Sequence, residues 1–132
     1  MPIASSLLNK PRLVEKLRNF YNYIQKNDGK VGIKTRGIDL NFNNACNLRC
    51  KYCFTNSPKG DHVKEYLDLS AIKKLADEAD QLEYFEFDLQ GGELLLQPEK
   101  LFSVLEAIRP ERFYLYVTTN GFYLDQKMAT KL

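Results

Sequence analysis

Apolar residues along the chain follow two alternating patterns. In residues 11–26, 70–82 and 98–108, apolar residues recur every three or four positions, which is typical of one face of a helix. A return at every second position, typical of a strand, occurs in "RGIDLNFN", "YFEFDLQ" and "RFYLYVTTN". A last helix is expected after Asp125, a good N-cap residue. The predicted order is one helix followed by three strands, each with a helix after it.

Proline, glycine and capping residues delimit the predicted helices. Pro11 and Pro98 suit a first helical turn, where a backbone N–H is not needed, and Ser70 is a good N-cap. The stretch "NDG" ends the first helix, and Pro110 stops the third. The apolar stripes of the first two helices are predicted to be Leu13, Leu17, Phe20, Tyr21 and Ile24, and Ile72, Leu75, Ala76, Ala79 and Leu82.

Strands that alternate with helices imply right-handed βαβ crossovers and a parallel sheet, so the fold class is α/β. Covered parallel strands are apolar on both faces, whereas each strand here has one apolar and one polar face. We expect the polar faces to line an open concavity, as in a wide or incomplete barrel; the alternative is a sheet with one exposed face. The polar positions are Asp39, Asn41, Asn43, Glu86, Asp88, Gln90, Tyr114, Tyr116, Thr118 and Asn120.

Composition and charge narrow the class of protein. The chain has 132 residues, 44% of them hydrophobic, and no apolar run near the roughly 20 residues of a membrane span. No signal peptide is visible at the N-terminus. Residues 1–36 hold eight Lys and Arg but two acids, although the net charge is only +2. This basic arm suggests an anionic partner such as RNA, an acidic peptide or an acidic redox protein; the alternative is a solvated helix face.

All three cysteines lie in one loop directly after the first predicted strand. Cys46, Cys50 and Cys53 are spaced C-x3-C-x2-C, and thiolates suit zinc or iron–sulfur clusters. Zinc would need a fourth ligand, for which the lone His62 is a candidate, although a solvated loop position suits it better. A cubane cluster held by three thiolates leaves one iron open. The odd, clustered count argues against secreted disulfides and favours the cytoplasm.

Three motifs resemble those of one enzyme superfamily. "CNLRCKYC" resembles the C-x3-C-x-aromatic-C signature of radical S-adenosylmethionine (radical SAM) enzymes. "QGGELLLQPE" is similar to their GGE motif, with Leu94 in place of the usual proline, and "TTNG" resembles their ending of the third strand. Each motif follows a predicted strand, in the expected order, so residues 36–125 are identified as similar to that superfamily.

The resemblance implies a set of cofactor contacts. Cys46, Cys50 and Cys53 would hold a [4Fe–4S] cluster whose fourth iron is chelated by S-adenosyl-L-methionine. Tyr52 would lie near the adenine; alternatively, it packs under the cluster. The backbone of Gly91 and Gly92, with Glu93, would receive the methionine amino group. Thr119 and Asn120 are weaker candidates for contacts with the cofactor. Two alternatives stay open, namely that the glycines form only a turn and that Glu93 caps the next helix.

The resemblance also implies an activity. A reducing partner of the flavodoxin or ferredoxin type would deliver an electron, S-adenosylmethionine would be cleaved reductively, and a 5′-deoxyadenosyl radical would abstract a substrate hydrogen. The expected substrate is a peptide or protein, as in ribosomal peptide maturation. Alternatives are a radical SAM enzyme acting on RNA or a nucleotide-like molecule, and a non-catalytic iron–sulfur or zinc module, so nucleic acid is not excluded as a partner and a membrane is not expected.

The implied architecture is the N-terminal half of a partial (β/α)6 TIM-like barrel. Residues 1–35 are expected to form a basic helical segment, and residues 36–132 a truncated core of three βα units. The remainder of the barrel is expected in further sequence or in a separate chain. A half barrel exposes the sheet edge after its last strand.

Overall fold

The computed structural model describes residues 9–30, 34–55, 57 and 68–132; His62, the candidate zinc ligand, lies outside them. The predicted alternation of helices and strands is confirmed. Short 3-10 turns follow β2 and α3, at Leu94–Leu96 and Pro110–Arg112. The main elements are α1 (Pro11–Lys26), β1 (Gly37–Asn43), α2 (Leu69–Gln81), β2 (Glu86–Gly91), α3 (Pro98–Ile108), β3 (Tyr114–Val117) and α4 (Gln126–Lys131).

The three strands form one parallel sheet in the order β1-β2-β3, which confirms the predicted α/β class. Leu40 of β1 lies beside Leu89 of β2, which in turn lies beside Val117 of β3. Such a sheet with helices over one face corresponds to part of a TIM-like barrel. Within the described residues β3 pairs with β2 alone, so its other edge carries no neighbouring strand.

The apolar face of the sheet forms the core with α2 and α3. Phe87 and Leu89 of β2 are fully buried, and the Phe87 ring meets Phe113 edge-on with centroids 4.8 Å apart. Aromatic pairs of this geometry add to the stability that comes from burial alone. The core residues are Leu40, Ile72, Ala76, Ala79, Phe87, Leu89, Leu94, Leu95, Leu101, Val104, Ile108 and Phe113.

The opposite face of the sheet is polar and open. Asp39, Tyr114 and Tyr116 are exposed, and the two tyrosine rings contact each other edge-on at 4.8 Å. Asn43 departs from the predicted pattern, because a register irregularity between Asn41 and Asn43 precedes it and its side chain is buried. The prediction that the other polar positions line a concavity stays a prediction.

Three details at the helices differ from the sequence prediction. The N-cap of α2 is Asp68, whose carboxylate accepts from the Ser70 N–H, so Ser70 lies inside the helix. Leu82 is the C-cap of α2 and is exposed, because the helix ends at Gln81 before its apolar stripe does. Tyr21 is 61% exposed, and the buried side of α1 carries Lys16 instead.

A buried ion pair fastens α1 to the core. Lys16 Nζ lies 2.5 Å from Asp80 Oδ1, donates to the Arg112 carbonyl at 3.0 Å and sits 3.9 Å from the centre of the Phe113 ring. Burial lowers the pKa of Lys16, although Asp80 opposes the shift. Burial disfavours ionisation of Asp80, yet bonds and charges from Lys16 and Arg12 lower its pKa below the ordinary 3.8. The first helix therefore belongs to the same packed unit as the sheet.

Half of the basic arm's cationic side chains are paired with carboxylates within the fold. Five of its eight Lys and Arg side chains bond to the body of the chain. Lys10 donates to the carbonyls of Pro110 and Phe113, and the ion pairs join Arg12 and Lys16 to Asp80, Lys34 to Glu83 and Arg36 to Glu86. The charge asymmetry of the sequence therefore overstates the basic surface, and an anionic partner stays a prediction.

No helix in the described part of the chain is both long enough and apolar enough to cross a membrane.

Candidate cofactor site

The three sequence motifs meet at one edge of the sheet. The cysteine loop follows β1, Gly92 and Glu93 follow β2, and Thr119 and Asn120 follow β3. Because the strands are parallel, their carboxyl ends lie side by side, and loops at this edge commonly form binding sites. The prediction that the motifs share an edge is thus consistent with the parallel sheet.

The two glycines let the cysteine loop approach β2 very closely. Gly92 N–H donates to the Asn43 carbonyl at 3.0 Å, and Glu93 N–H donates to the Ala45 carbonyl at 2.7 Å. A Cβ on Gly91 would lie 2.3 Å from the Asn43 carbonyl oxygen, and one on Gly92 would lie 1.9 Å from that of Ala45. These positions therefore accept only glycine without backbone movement. The space they leave is filled by the neighbouring backbone.

The Glu93 side chain is fully buried beneath the same edge. Its Oε1 accepts from Leu95 N–H and from the Thr119 hydroxyl, both at 2.7 Å, and its Oε2 accepts from Asn120 N–H at 2.8 Å. The bond to Leu95 caps the 3-10 turn after β2, whereas the N-cap of the following helix α3 is Gln97, which makes no side-chain cap bond. The bonds to the end of β3 were not foreseen, since spacing along the sequence does not reveal them.

Asn120 connects the end of β3 to the cysteine loop. Its side-chain Nδ2 donates to Asn47 Oδ1 at 2.9 Å and lies 4.0 Å from Cys46 Sγ, while its Oδ1 accepts from Phe122 N–H at 2.9 Å. Leu48 N–H also points at Cys46 Sγ, at 3.4 Å. Amide donors directed at a ligand sulfur tune the metal that it binds.

The three thiols share one loop with different exposure. Cys46 is half-buried, whereas Cys50 and Cys53 are exposed. A turn joins the latter two, with Cys53 N–H donating to the Cys50 carbonyl at 3.2 Å, and Cys53 Sγ lies 3.1 Å from the Thr55 hydroxyl. No three His, Cys, Asp or Glu side chains converge into a metal-binding group within the described ranges. The donor set nevertheless fits iron, because thiolates suit it and two of the three thiols lie on open surface.

Aromatic side chains stand exposed around the thiols. Tyr52 is 91% exposed and Phe54 is 80% exposed on the cysteine loop, and Phe122 is 71% exposed on the loop after β3. Tyr52 therefore packs little against the described residues, and its packing under the cluster stays an alternative prediction. Its contact with adenine stays a prediction. Phe122 was not singled out from the sequence, because it lies just beyond the "TTNG" motif.

Sequence reasoning also missed the contacts that Asn43 and Ala45, at and just after the end of β1, make with Gly92 and Glu93. Asn43 is buried, its Nδ2 donates to the Glu93 carbonyl at 3.4 Å, and its Oδ1 accepts from Gly92 N–H at 3.3 Å. Ala45 is buried where its carbonyl meets Glu93 N–H. The sequence feature that could have indicated these contacts is an asparagine and an alanine, Asn43 and Ala45, just before the first cysteine.

Comparison with known proteins identifies the family. The model of the radical SAM superfamily matches residues 40–132. An S-adenosylmethionine-dependent nucleotide dehydratase of Fibrobacter sp. (strain UWH6) is 28% identical over 103 residues, covering 72% of this chain and 30% of that protein. A GTP 3',8-cyclase of Yersinia pestis is 32% identical over 94 residues, covering 70% and 28% respectively. The mycofactocin maturase MftC of Mycobacterium tuberculosis (strain CDC 1551 / Oshkosh) is 27% identical over 88 residues, covering 67% and 22%.

This chain spans less than a third of the length of each of those three relatives. The matched region takes in the last four residues of β1, all of β2 and β3, and all three motifs. The chain therefore belongs to the radical SAM superfamily of enzymes.

Proposed function

We propose that Cys46, Cys50 and Cys53 hold a [4Fe–4S] cluster whose open iron binds S-adenosyl-L-methionine. The observation that carries the proposal is the junction of three strand ends, where Ala45 and Cys46 at the start of the cysteine loop lie against Glu93 of the GGE segment and Asn120 of the "TTNG" segment. Once bound and reduced by one electron, the cluster with S-adenosylmethionine would supply radical chemistry for abstracting a hydrogen atom from the substrate.

The chain's own residues would bind and orient these cofactors. We assign the amino-acid end of S-adenosylmethionine to the main chain of Gly91, Gly92 and Glu93, because those groups lie next to the cysteine loop. Tyr52 is exposed and close in sequence to the thiols, which suits a contact with the adenine. Thr119 and Asn120 border the same edge and would limit how the bound cofactor can turn.

The partners follow from the chemistry. The cluster needs a one-electron reductant, for which a cytoplasmic flavodoxin or ferredoxin is suited. The free edge of β3 would pair with a further strand from the remainder of the barrel, because an unpaired parallel edge leaves backbone groups to be satisfied.

For the substrate we propose a peptide or protein, supported by the similarity to the mycofactocin maturase. A nucleotide is the second candidate, favoured by the similarity to the nucleotide dehydratase and the GTP 3',8-cyclase. The basic arm does not discriminate between them, because it suits an acidic peptide and a nucleotide alike and half of its cationic side chains are paired internally.

The test begins with anaerobic reconstitution of the chain with iron and sulfide. We expect about four irons and four sulfides per chain, as a cubane cluster contains, and far less in the Cys50→Ala variant. Adding dithionite and S-adenosylmethionine should then release 5′-deoxyadenosine. One bound zinc without sulfide would falsify the cluster assignment and favour a non-catalytic zinc module. Stimulation of 5′-deoxyadenosine release by GTP but not by leader-containing peptides would overturn the peptide proposal.

A further inference from the structure

The geometry points to Glu93 as a positioning residue. Its carboxylate braces the end of β3 against the turn after β2, while the cofactor's amino group is left to the main chain around it. The inference refines one contact of the proposed cofactor site. It is based on contacts among the described residues alone. The proposed cluster is involved only through Cys46, whose thiol lies near the Asn120 side chain that Glu93 positions.

The carboxylate is already occupied. Both of its oxygens accept hydrogen bonds at 2.7 to 2.8 Å, from Leu95 N–H, the Thr119 hydroxyl and Asn120 N–H. The side chain has no exposed surface. The three bonds use three of the roughly four acceptor positions of a carboxylate, and burial leaves a ligand ammonium no access to the fourth unless the surrounding chain moves. The carboxylate is therefore satisfied before any cofactor binds.

The hydrogen bonds made by Glu93 extend to the cysteine loop through Asn120. Glu93 fixes the Asn120 backbone, and the Asn120 side chain reaches Asn47 at 2.9 Å and Cys46 Sγ at 4.0 Å. On the other side, the Glu93 N–H is held by the Ala45 carbonyl at 2.7 Å. One residue thus links all three strand ends. Moving its carboxylate would change the position of Asn120 relative to the first cysteine.

The substitution Glu93→Gln separates a brace from a ligand. Glutamine keeps the shape but has one acceptor oxygen and one NH2 group. In one orientation the amide oxygen faces Asn120 N–H and the NH2 group faces Leu95 N–H. In the reverse orientation the NH2 group faces Asn120 N–H, which then has no acceptor. Either amide orientation therefore leaves one backbone N–H opposite a donor. A residue that served only as a ligand could instead be replaced without any effect on the cofactor-free chain.

The experiment compares the chain with its Glu93→Gln, Thr119→Val and Glu106→Gln variants, all free of iron and S-adenosylmethionine. Glu106 is an exposed glutamate on α3 and serves as the matched control. We expect Glu93→Gln to lower Tm by roughly 5 °C or more, as loss of one buried hydrogen bond implies for a chain of this size. We also expect amide exchange at Leu95 or Asn120 to be at least tenfold faster, with Glu106→Gln unchanged in both respects.

Thr119→Val keeps the inference testable if Glu93→Gln does not fold. It removes the hydroxyl that donates to Glu93 and accepts from Gly121 N–H, so a smaller loss of Tm and faster exchange at Asn120 are expected. The inference is overturned if cofactor-free Glu93→Gln keeps the parent Tm and exchange rates while the Tm rise caused by S-adenosylmethionine disappears from the reconstituted variant. Failure of the cluster to assemble in the parent chain would count against the proposed function alone.

Discussion

Replacing Gly92 with alanine tests whether the junction between the cysteine loop and β2 depends on close backbone approach. The added Cβ would lie 1.9 Å from the Ala45 carbonyl oxygen and 2.5 Å from its carbon. Both atoms belong to backbone, which cannot turn aside as a flexible side chain does. The two segments must therefore separate.

The magnitude follows from the bonds that this separation breaks. Ordinary contact with an oxygen needs more than about 3 Å, so the segments must part by about 1 Å. The Glu93 N–H···O contact to Ala45, now 2.7 Å, would then exceed the length of a hydrogen bond, and the 3.0 Å bond from Gly92 to Asn43 would be weakened. A buried backbone group left unpaired costs about 1–3 kcal/mol. We expect the free energy of unfolding to fall by about 2–5 kcal/mol.

Urea unfolding followed by circular dichroism measures this loss, with linear extrapolation to zero denaturant. Gly29→Ala is the matched control. Gly29 has φ +75° and no heavy atom within 4 Å of a built Cβ, so alanine there brings backbone strain without a clash. Such strain costs about 1–2 kcal/mol. The same preparations should be assayed for iron uptake, which we expect to fall in Gly92→Ala and to be unchanged in Gly29→Ala.

Equal losses of unfolding free energy in the two variants would refute the reasoning, because they would mean that the junction yields to a methyl group. If a destabilised Gly92→Ala chain still took up its full complement of iron, cluster assembly would not depend on the stability of this junction.

Three further predictions concern the buried ion pair and the thiols. Asp80→Ala leaves the Lys16 ammonium buried beside a cationic neighbour and should cost about 3–5 kcal/mol, whereas Lys16→Met should cost clearly less; urea titrations giving the opposite order would contradict this. Because the folded-state pKa of Asp80 lies below its ordinary 3.8, its contribution to stability is complete above that pH and is lost as pH falls toward the folded value, so the acid side of a Tm–pH profile should be shallower in Asp80→Asn. Cys53→Ser should cut the iron content after reconstitution well below the parent value without moving the apo Tm by more than about 2 °C, since Cys53 is exposed; an unchanged iron content would exclude it as a ligand.

The fold could be predicted from sequence because its determinants are local. Alternating apolar positions define β2, and Pro98 and Asp125 mark helix starts that the structure confirms. The buried Lys16 could not be predicted in the same way. Its environment is created by Asp80 and Phe113, which lie far along the chain, and a lysine within an amphipathic helix is ordinarily exposed.

The candidate site shows the same division. The motifs indicated the candidate residues, and the parallel sheet accounts for their meeting at one edge. The motifs did not indicate that Gly92 faces a carbonyl of Ala45, or that Glu93 is tied to Asn120. Those contacts arise from the register of neighbouring strands, including the irregularity before Asn43, which a one-dimensional pattern does not encode.

The junction between Asn43, Ala45, Gly92 and Glu93 bears on any attempt to move this site into another protein. A cysteine loop transplanted alone would lose the carbonyl-to-amide bonds that hold its base and the asparagine that reaches its first thiol. The smallest portable unit is therefore three adjacent parallel strand ends with their register preserved. A designer who grafts C-x3-C-x2-C onto a loop of unrelated geometry should expect a metal-binding peptide without the orientation that this edge imposes.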